Sequence, residues 1–146
     1  MQLLHDPAVG DSIRTRVRSL SAGAPARWGR MSAAQMLWHC NQVLGTSLGD
    51  MTVVHRTPPF PVPLLKVMLF HMPWPHGAPT APEYQAGPPR EFEVERAQCL
   101  ALMDRFTARK MDDGPWPPAV FGPLTGREWS CLQARHLDHH LTQFSA

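Results

Sequence analysis

Lysine is almost missing from this chain: Lys66 and Lys110 stand against twelve arginines scattered from Arg14 to Arg135. No block of like charge occurs anywhere, and 14 basic against 12 acidic residues leave a formal charge of +2 over 146 residues. So balanced a chain would release few counterions from a phosphate backbone, which argues against a nucleic-acid partner. The charged fraction is low at 18%, yet the apolar fraction of 43% is ordinary, so an acidic or basic disordered tail is excluded. The length suits one domain, residues 1–146, around one core.

Long apolar runs are also missing. The longest, near Val62 to Phe70, is broken by Pro63 and Lys66 and is too short to cross a bilayer. The N-terminal Met1–Pro7 shows no basic region leading into an apolar stretch, so no leader is expected. The three cysteines, Cys40, Cys99 and Cys131, are far apart and form no C-x-x-C, which removes a zinc knuckle or a thioredoxin-like pair. No P-loop, G-x-G-x-x-G or G-x-S-x-G is present. These absences predict a reduced, cytoplasmic chain with no membrane partner.

Proline is in excess. Ten of the sixteen prolines fall between Met51 and Pro89, where they forbid a long regular element. Leu64 to Met72 can form a short apolar helix there; the remainder is expected to be turn or extended chain. A connection this long inside a small domain must cross the end of a helical assembly or cover something.

Helical signals dominate elsewhere. Asp6-Pro7 reads as an N-cap and first-turn proline, followed by Val9, Ile13, Val17 and Leu20 at helical spacing. Gly10 weakens this helix, and Gly23 with Pro25 ends it. Ser32 precedes Gln35 by three residues, a capping box, and Met36, Cys40, Val43, Leu44 and Ser47 share a face, so Ser32 to Leu48 is predicted helical with Gly49 as its stop. Glu91 to Lys110 reads as a third long helix, with Phe92, Cys99, Leu102, Met103 and Phe106 on one side. Thr125 and Glu128 repeat the capping box, and Trp129, Leu132, His136, His140 and Phe144 follow at intervals of three and four. Strand-type alternation is absent. Four helices with one long crossover predict an all-α bundle.

The stretch that can carry chemistry is Arg135-His136-Leu137-Asp138-His139-His140-Leu141. At about 100° per residue, His136 and His140 share the face that also carries Trp129 and Leu132, whereas Asp138 points away and His139 sits at the flank. Two imidazoles one turn apart can bind one divalent ion, and an ion would satisfy nitrogens that are costly to bury unpaired. Alone, an H-x-x-x-H is a weak signal, because helical histidines are often partly exposed or bonded to backbone carbonyls. His39 strengthens it. It lies one turn after Met36 in the second helix, at the edge of the apolar stripe, and can face the pair if the two helices pack together. Taken singly, it is more commonly a satisfied boundary histidine. Three histidines with one position open are the composition of a catalytic rather than a structural zinc site.

Other candidates rank lower. Cys40 is expected to be a buried inert thiol, and His5, His55, His71 and His76 surface groups. Trp28, Trp74, Trp116 and Trp129 are expected in the core or lining a pocket. Glu91, Glu95 and Asp104 are general-base candidates only if they face inward. Low charge and the apolar residues Phe60, Leu64, Leu65, Phe70 and Trp74 suggest a surface that a second copy covers.

The segments Trp28-Gly-Arg-Met-Ser-Ala-Ala-Gln-Met-Leu-Trp-His39, Phe121-Gly-Pro-Leu-Thr-Gly-Arg-Glu-Trp129 and His136-Leu-Asp-His-His-Leu-Thr-Gln-Phe144 resemble the DinB-like, YfiT-type superfamily, and within it a small bacterial branch without assigned function. The resemblance covers roughly residues 27 to 144, loosely across the proline block. It implies an antiparallel four-helix bundle of up-down-down-up type, often a homodimer. It also implies a three-histidine site for Zn, Ni or Fe, carried over by position to His39, His136 and His140. Some relatives are transferases or isomerases that use a low-molecular-weight thiol; others are labelled hydrolases on resemblance. Two features depart from the branch. Trp116-Pro117-Pro118 stands where His-Pro is usual, and Ser145 follows Phe144 where glycine is common.

The expectation is therefore a mononuclear metal-dependent hydrolase or thiol-dependent transferase acting on a small molecule. The alternative is a non-catalytic bundle that binds a metal or small ligand.

Overall fold

The computed structural model describes residues 1–146. It is all-helical: α1 (Pro7–Ser19), α2 (Ala33–Leu48), α3 (Val62–His71), α4 (Phe92–Ala108) and α5 (Gly126–Gln143), with a single 3₁₀ turn at Pro82–Tyr84 and no strand. No helix is long and apolar enough to cross a membrane.

The start signals operate as the residues predict. Asp6 accepts a hydrogen bond from the Ala8 amide, and both Ser32–Gln35 and Thr125–Glu128 close reciprocal capping boxes. Each box satisfies amides that a helix start leaves unpaired, worth about 1 kcal/mol. Gly49 closes α2 in the left-handed conformation. Gly10, a weak point by propensity, has a packing reason: a Cβ there would meet the Leu4 carbonyl oxygen at 2.9 Å. Leu4 must come this close because its amide donates to the Ser130 carbonyl on α5.

α2 packs against α4 and α5, and α1 against the same two helices, around one core that includes Met36, Leu37, Leu44, Met103, Phe106, Trp129 and Leu137. Two buried amides cross-link α2. Asn41 Nδ2 donates to the Glu95 carbonyl on α4, and Gln133 Nε2, on α5, donates to the Val43 carbonyl at 3.1 Å and to Ser47 Oγ at 3.3 Å. Gln133 is one turn before His136 and Val43 one turn after His39. That link therefore fixes the two histidine-bearing turns against each other.

α3 touches only α5 among the helices. Lys66 pairs with Glu128 at 2.9 Å, and Arg135 donates to the carbonyls of Phe70 and Met72. Glu128 thus serves both the α5 capping box and the attachment of α3. Of the residues expected to lie on an uncovered surface, Phe60 and Leu64 are exposed, Leu65 and Trp74 are half-buried, and Phe70 is in the core.

Candidate metal centre

His39 comes from the middle of α2, and His136 and His140 from the second half of α5. The structure brings them together, each offering a ligand nitrogen within 4.8 Å of the others. Asp138 points away, exposed and paired with Arg16, as helical phase requires. His139 is not a member of the group; its ring lies among Trp28, Trp74 and His76.

Hydrogen bonds fix which nitrogen each ligand offers. The Tyr84 carbonyl, which can only accept, lies 2.6 Å from His39 Nδ1. His39 Nδ1 therefore carries the hydrogen, and Nε2 keeps its lone pair. Gln143 orients His140 in the same way. Its Nε2 donates to the Trp28 carbonyl at 2.8 Å, which turns Oε1 towards His140 Nδ1, also at 2.8 Å. The Nδ1 of His140 donates, and its Nε2 is left free. Gly29 makes room for this amide: its φ is +78°, and a Cβ would sit 2.9 Å from Gln143 Nε2. Such outer partners set tautomer and ring orientation in metal sites and strengthen the ligands.

The third ring differs. His136 Nε2 lies 3.0 Å from His39 Nε2, while its buried Nδ1 has no hydrogen-bond partner in the protein. Nitrogens bound to one tetrahedral ion at about 2.1 Å stand roughly 3.4 Å apart, so the spacing of the group suits a shared ion. Burial holds all three rings neutral at pH 7. His136 is pushed well below the ordinary histidine value by burial and then by His140 and His39. His140 is pushed down to about 3, mainly by burial and His39 and against the Gln143 hydrogen bond. His39 is lowered by burial against the bond to Tyr84. Neutral imidazole is the form that ligates. The residues present fit a divalent ion.

The three rings open onto a cavity of about 690 Å³ walled by Trp28, Met31, Leu65, Met68, Leu69 and Trp74. Trp28 is held there by a parallel stack on His76, with ring centroids 3.7 Å apart. Neither Asp nor Glu lines the cavity. Glu95 instead accepts from Asn41 between α2 and α4, Asp104 pairs with Arg14 at the surface, and Glu91 is exposed ahead of α4. No general-base carboxylate comes from α4.

The remaining candidates fall out clearly. Cys40 is buried, as are Cys99 and Cys131, and burial raises the Cys40 thiol well above its ordinary value and Cys99 to about 12. His55, His71 and His76 are exposed, but His5 is half-buried: its ring bonds Ser130 Oγ at 2.9 Å and the Arg109 carbonyl at 2.7 Å. The expectation of a surface role for His5 is corrected to a structural one. Trp116 and Trp129 are in the core, and Trp28 and Trp74 line the cavity. Sequence reasoning missed Gln143, Gln133 and Tyr84. Gln143 carried a signal, since it lies three residues after His140 and so one turn away. The Tyr84 carbonyl carried none, because any residue there has one.

A family model described as "Protein of unknown function (DUF1569)" matches residues 4–146, and the chain belongs to that family. No curated protein and no solved structure matches the chain.

Proposed function

We propose that this DUF1569 chain is a mononuclear metalloenzyme acting on a small molecule, with His39, His136 and His140 as its ligands. The observation that carries the reading is a three-histidine group, neutral and with two of its rings held by outer hydrogen bonds, opening onto a sizeable cavity. Three protein ligands and an accessible cavity are the arrangement of a catalytic centre, whereas structural sites are closed by four. A bound Zn, Ni or Fe ion would supply Lewis acidity to a nucleophile or leaving group. The chain's own contribution is orientation and an apolar setting: Tyr84 and Gln143 hold the rings of His39 and His140, and Trp28 and Trp74 wall the cavity. Hydrolysis and transfer to or from a low-molecular-weight thiol are the two reaction classes that the resemblance to DinB-like proteins implies.

The broader assignment is to the DinB-like bundles. Mutual packing of α1, α2, α4 and α5, with residues 49–91 as the long connection, supports an antiparallel four-helix arrangement of up-down-down-up type. The exposed Phe60, Leu64 and Val67 on and beside α3 support a homodimer, and a cytoplasmic setting suits free buried cysteines. Metal analysis of the native protein, followed by hydrolysis and thiol-transfer screens with and without that metal, tests the proposal. Stoichiometric metal with metal-dependent turnover is expected. Metal without turnover favours the second reading, a non-catalytic metal- or ligand-binding bundle, for which the carboxylate-free cavity is the specific support. Absence of metal overturns the metalloenzyme and the metal-binding form of the second reading, leaving only a bundle that binds a small ligand.

A further inference from the structure

The charge of the cavity wall limits what it can take. Three neutral imidazoles leave a divalent ion with its full +2, and no Asp or Glu among the lining residues offsets it. Arg30, the one fully charged side chain on the lining, is exposed to solvent. The rest of the wall is largely apolar, with Trp28, Met68, Leu69 and Trp74 as its larger members. An uncompensated positive ion beside an apolar wall favours an anion as the next ligand. Beyond the ion the wall offers no buried charged partner, so a ligand with several charges would leave all but one of them unpaired.

We infer that the cavity binds a small monoanion with an apolar body, its acidic headgroup on the ion and its hydrocarbon or aryl portion against Trp28, Met68, Leu69 and Trp74. This rests on the metal reading above and names the substrate class for that site. The volume of about 690 Å³ accommodates a body of ten or so heavy atoms, within the range of ordinary small-molecule pockets.

Calorimetric titration of the zinc-loaded protein at neutral pH tests it with phenylbutanoate, acetate and phenylbutylamine, with zinc content measured on each sample. Phenylbutanoate is expected to bind at least about tenfold more tightly than acetate, since burying a phenyl ring is worth at least that factor. It should also bind at least about tenfold more tightly than the amine, which presents the wrong charge. Met68→Ala, which removes apolar wall without adding charge, is expected to weaken phenylbutanoate several-fold and acetate by less than about twofold, with zinc content retained. Zinc retained with acetate or the amine bound as tightly as phenylbutanoate overturns this inference alone. If zinc is not retained, the titrations are run on the nickel- or iron-loaded protein, and failure to retain any of the three overturns the metal reading and this inference with it.

Discussion

The α2–α5 pair and the proline-rich stretch from Met51 to Pro89 both contribute to the candidate centre, but by opposite means. The helix pair supplies the three imidazoles from buried turns whose phase is fixed by capping boxes and by the Gln133 cross-link. The proline-rich stretch supplies no ligand. It contributes one backbone carbonyl, at Tyr84, and much of the cavity wall, and it is fastened by a few side-chain bonds: Lys66 to Glu128, Arg135 to the end of α3, and Tyr84 Oη to Thr46 Oγ1 at 2.9 Å. Ligand positions thus rest on helical periodicity, and the cover on scattered long-range contacts. The first should be rigid and intolerant of change; the second should tolerate change at a cost to binding of small molecules rather than of metal.

Replacing a ligand should have the largest effect. His136→Ala is expected to weaken metal binding by on the order of 100-fold or more, since removing a ligand exceeds the 10–100-fold typical of its outer partners. His139→Ala, which removes a cavity-lining ring, should change it less than about threefold. Competition against a chelator reads both, and equal losses would break the distinction between ligand and wall.

Acid should act on the helix pair before the cover. His39, His136 and His140 all have folded-state values lowered by burial. The unfolded chain therefore binds protons that the folded chain does not as pH drops below about 6.5, at up to about 1.4 kcal/mol per group per pH unit. With metal removed by chelator, stability should fall by at least about 2 kcal/mol between pH 7 and 5. For His140 the loss continues towards about 3, and His140→Ala should flatten the curve. The same shifts move metal release below the unperturbed histidine range near 6.5 that composition alone suggests. Denaturant titrations at several pH values measure the slope, and a flat profile in the unaltered protein would contradict the burial of these rings.

Gln143→Leu removes the acceptor that orients His140 and leaves the Trp28 carbonyl unpaired; a 10–100-fold loss of metal affinity is expected. Tyr84→Phe keeps the carbonyl on His39 and removes only the hydroxyl bond to Thr46. It should cost about 1 kcal/mol of stability and change metal affinity less than about threefold, measured by thermal unfolding and by the same chelator competition. The smallest effect is at the end of α5. Ser145 has a φ of +58°, in the left-handed region that glycine enters without a Cβ penalty. Ser145→Gly should raise stability by about 0.5 kcal/mol, seen as a small rise in Tm, with metal affinity unchanged.

The same division explains what could be read from the residues alone. Ser32–Gln35 and Thr125–Glu128 announce α2 and α5 because capping is a local interaction, and the pairing of His136 with His140 follows from the turn of the helix. His39 could be placed on a face but not opposite the pair, since that depends on Gln133 reaching Val43 across 90 residues. Glu95 looked available for chemistry until its neighbour Asn41 was known. The proline block was legible as a cover for something, yet which carbonyl it would present to His39 is set by the path of the whole segment. His5 failed for the same reason: its partners, Ser130 and Arg109, are more than 100 residues away.

The Nε2–Nε2 contact of 3.0 Å between His39 and His136 also bears on how an ion would enter. With the hydrogen of His39 held on Nδ1 by Tyr84, the hydrogen in that contact belongs to His136 Nε2. His136 is then the odd tautomer of the three, its lone pair on the unpartnered Nδ1. Presenting three Nε2 lone pairs to one ion requires a prototropic exchange at this ring alone. His39 and His140 already present Nε2 lone pairs, and His136 is the ring that must change. Nitrogen-15 shifts of its two ring positions should interchange on metal loading, while those of the other two rings keep their order.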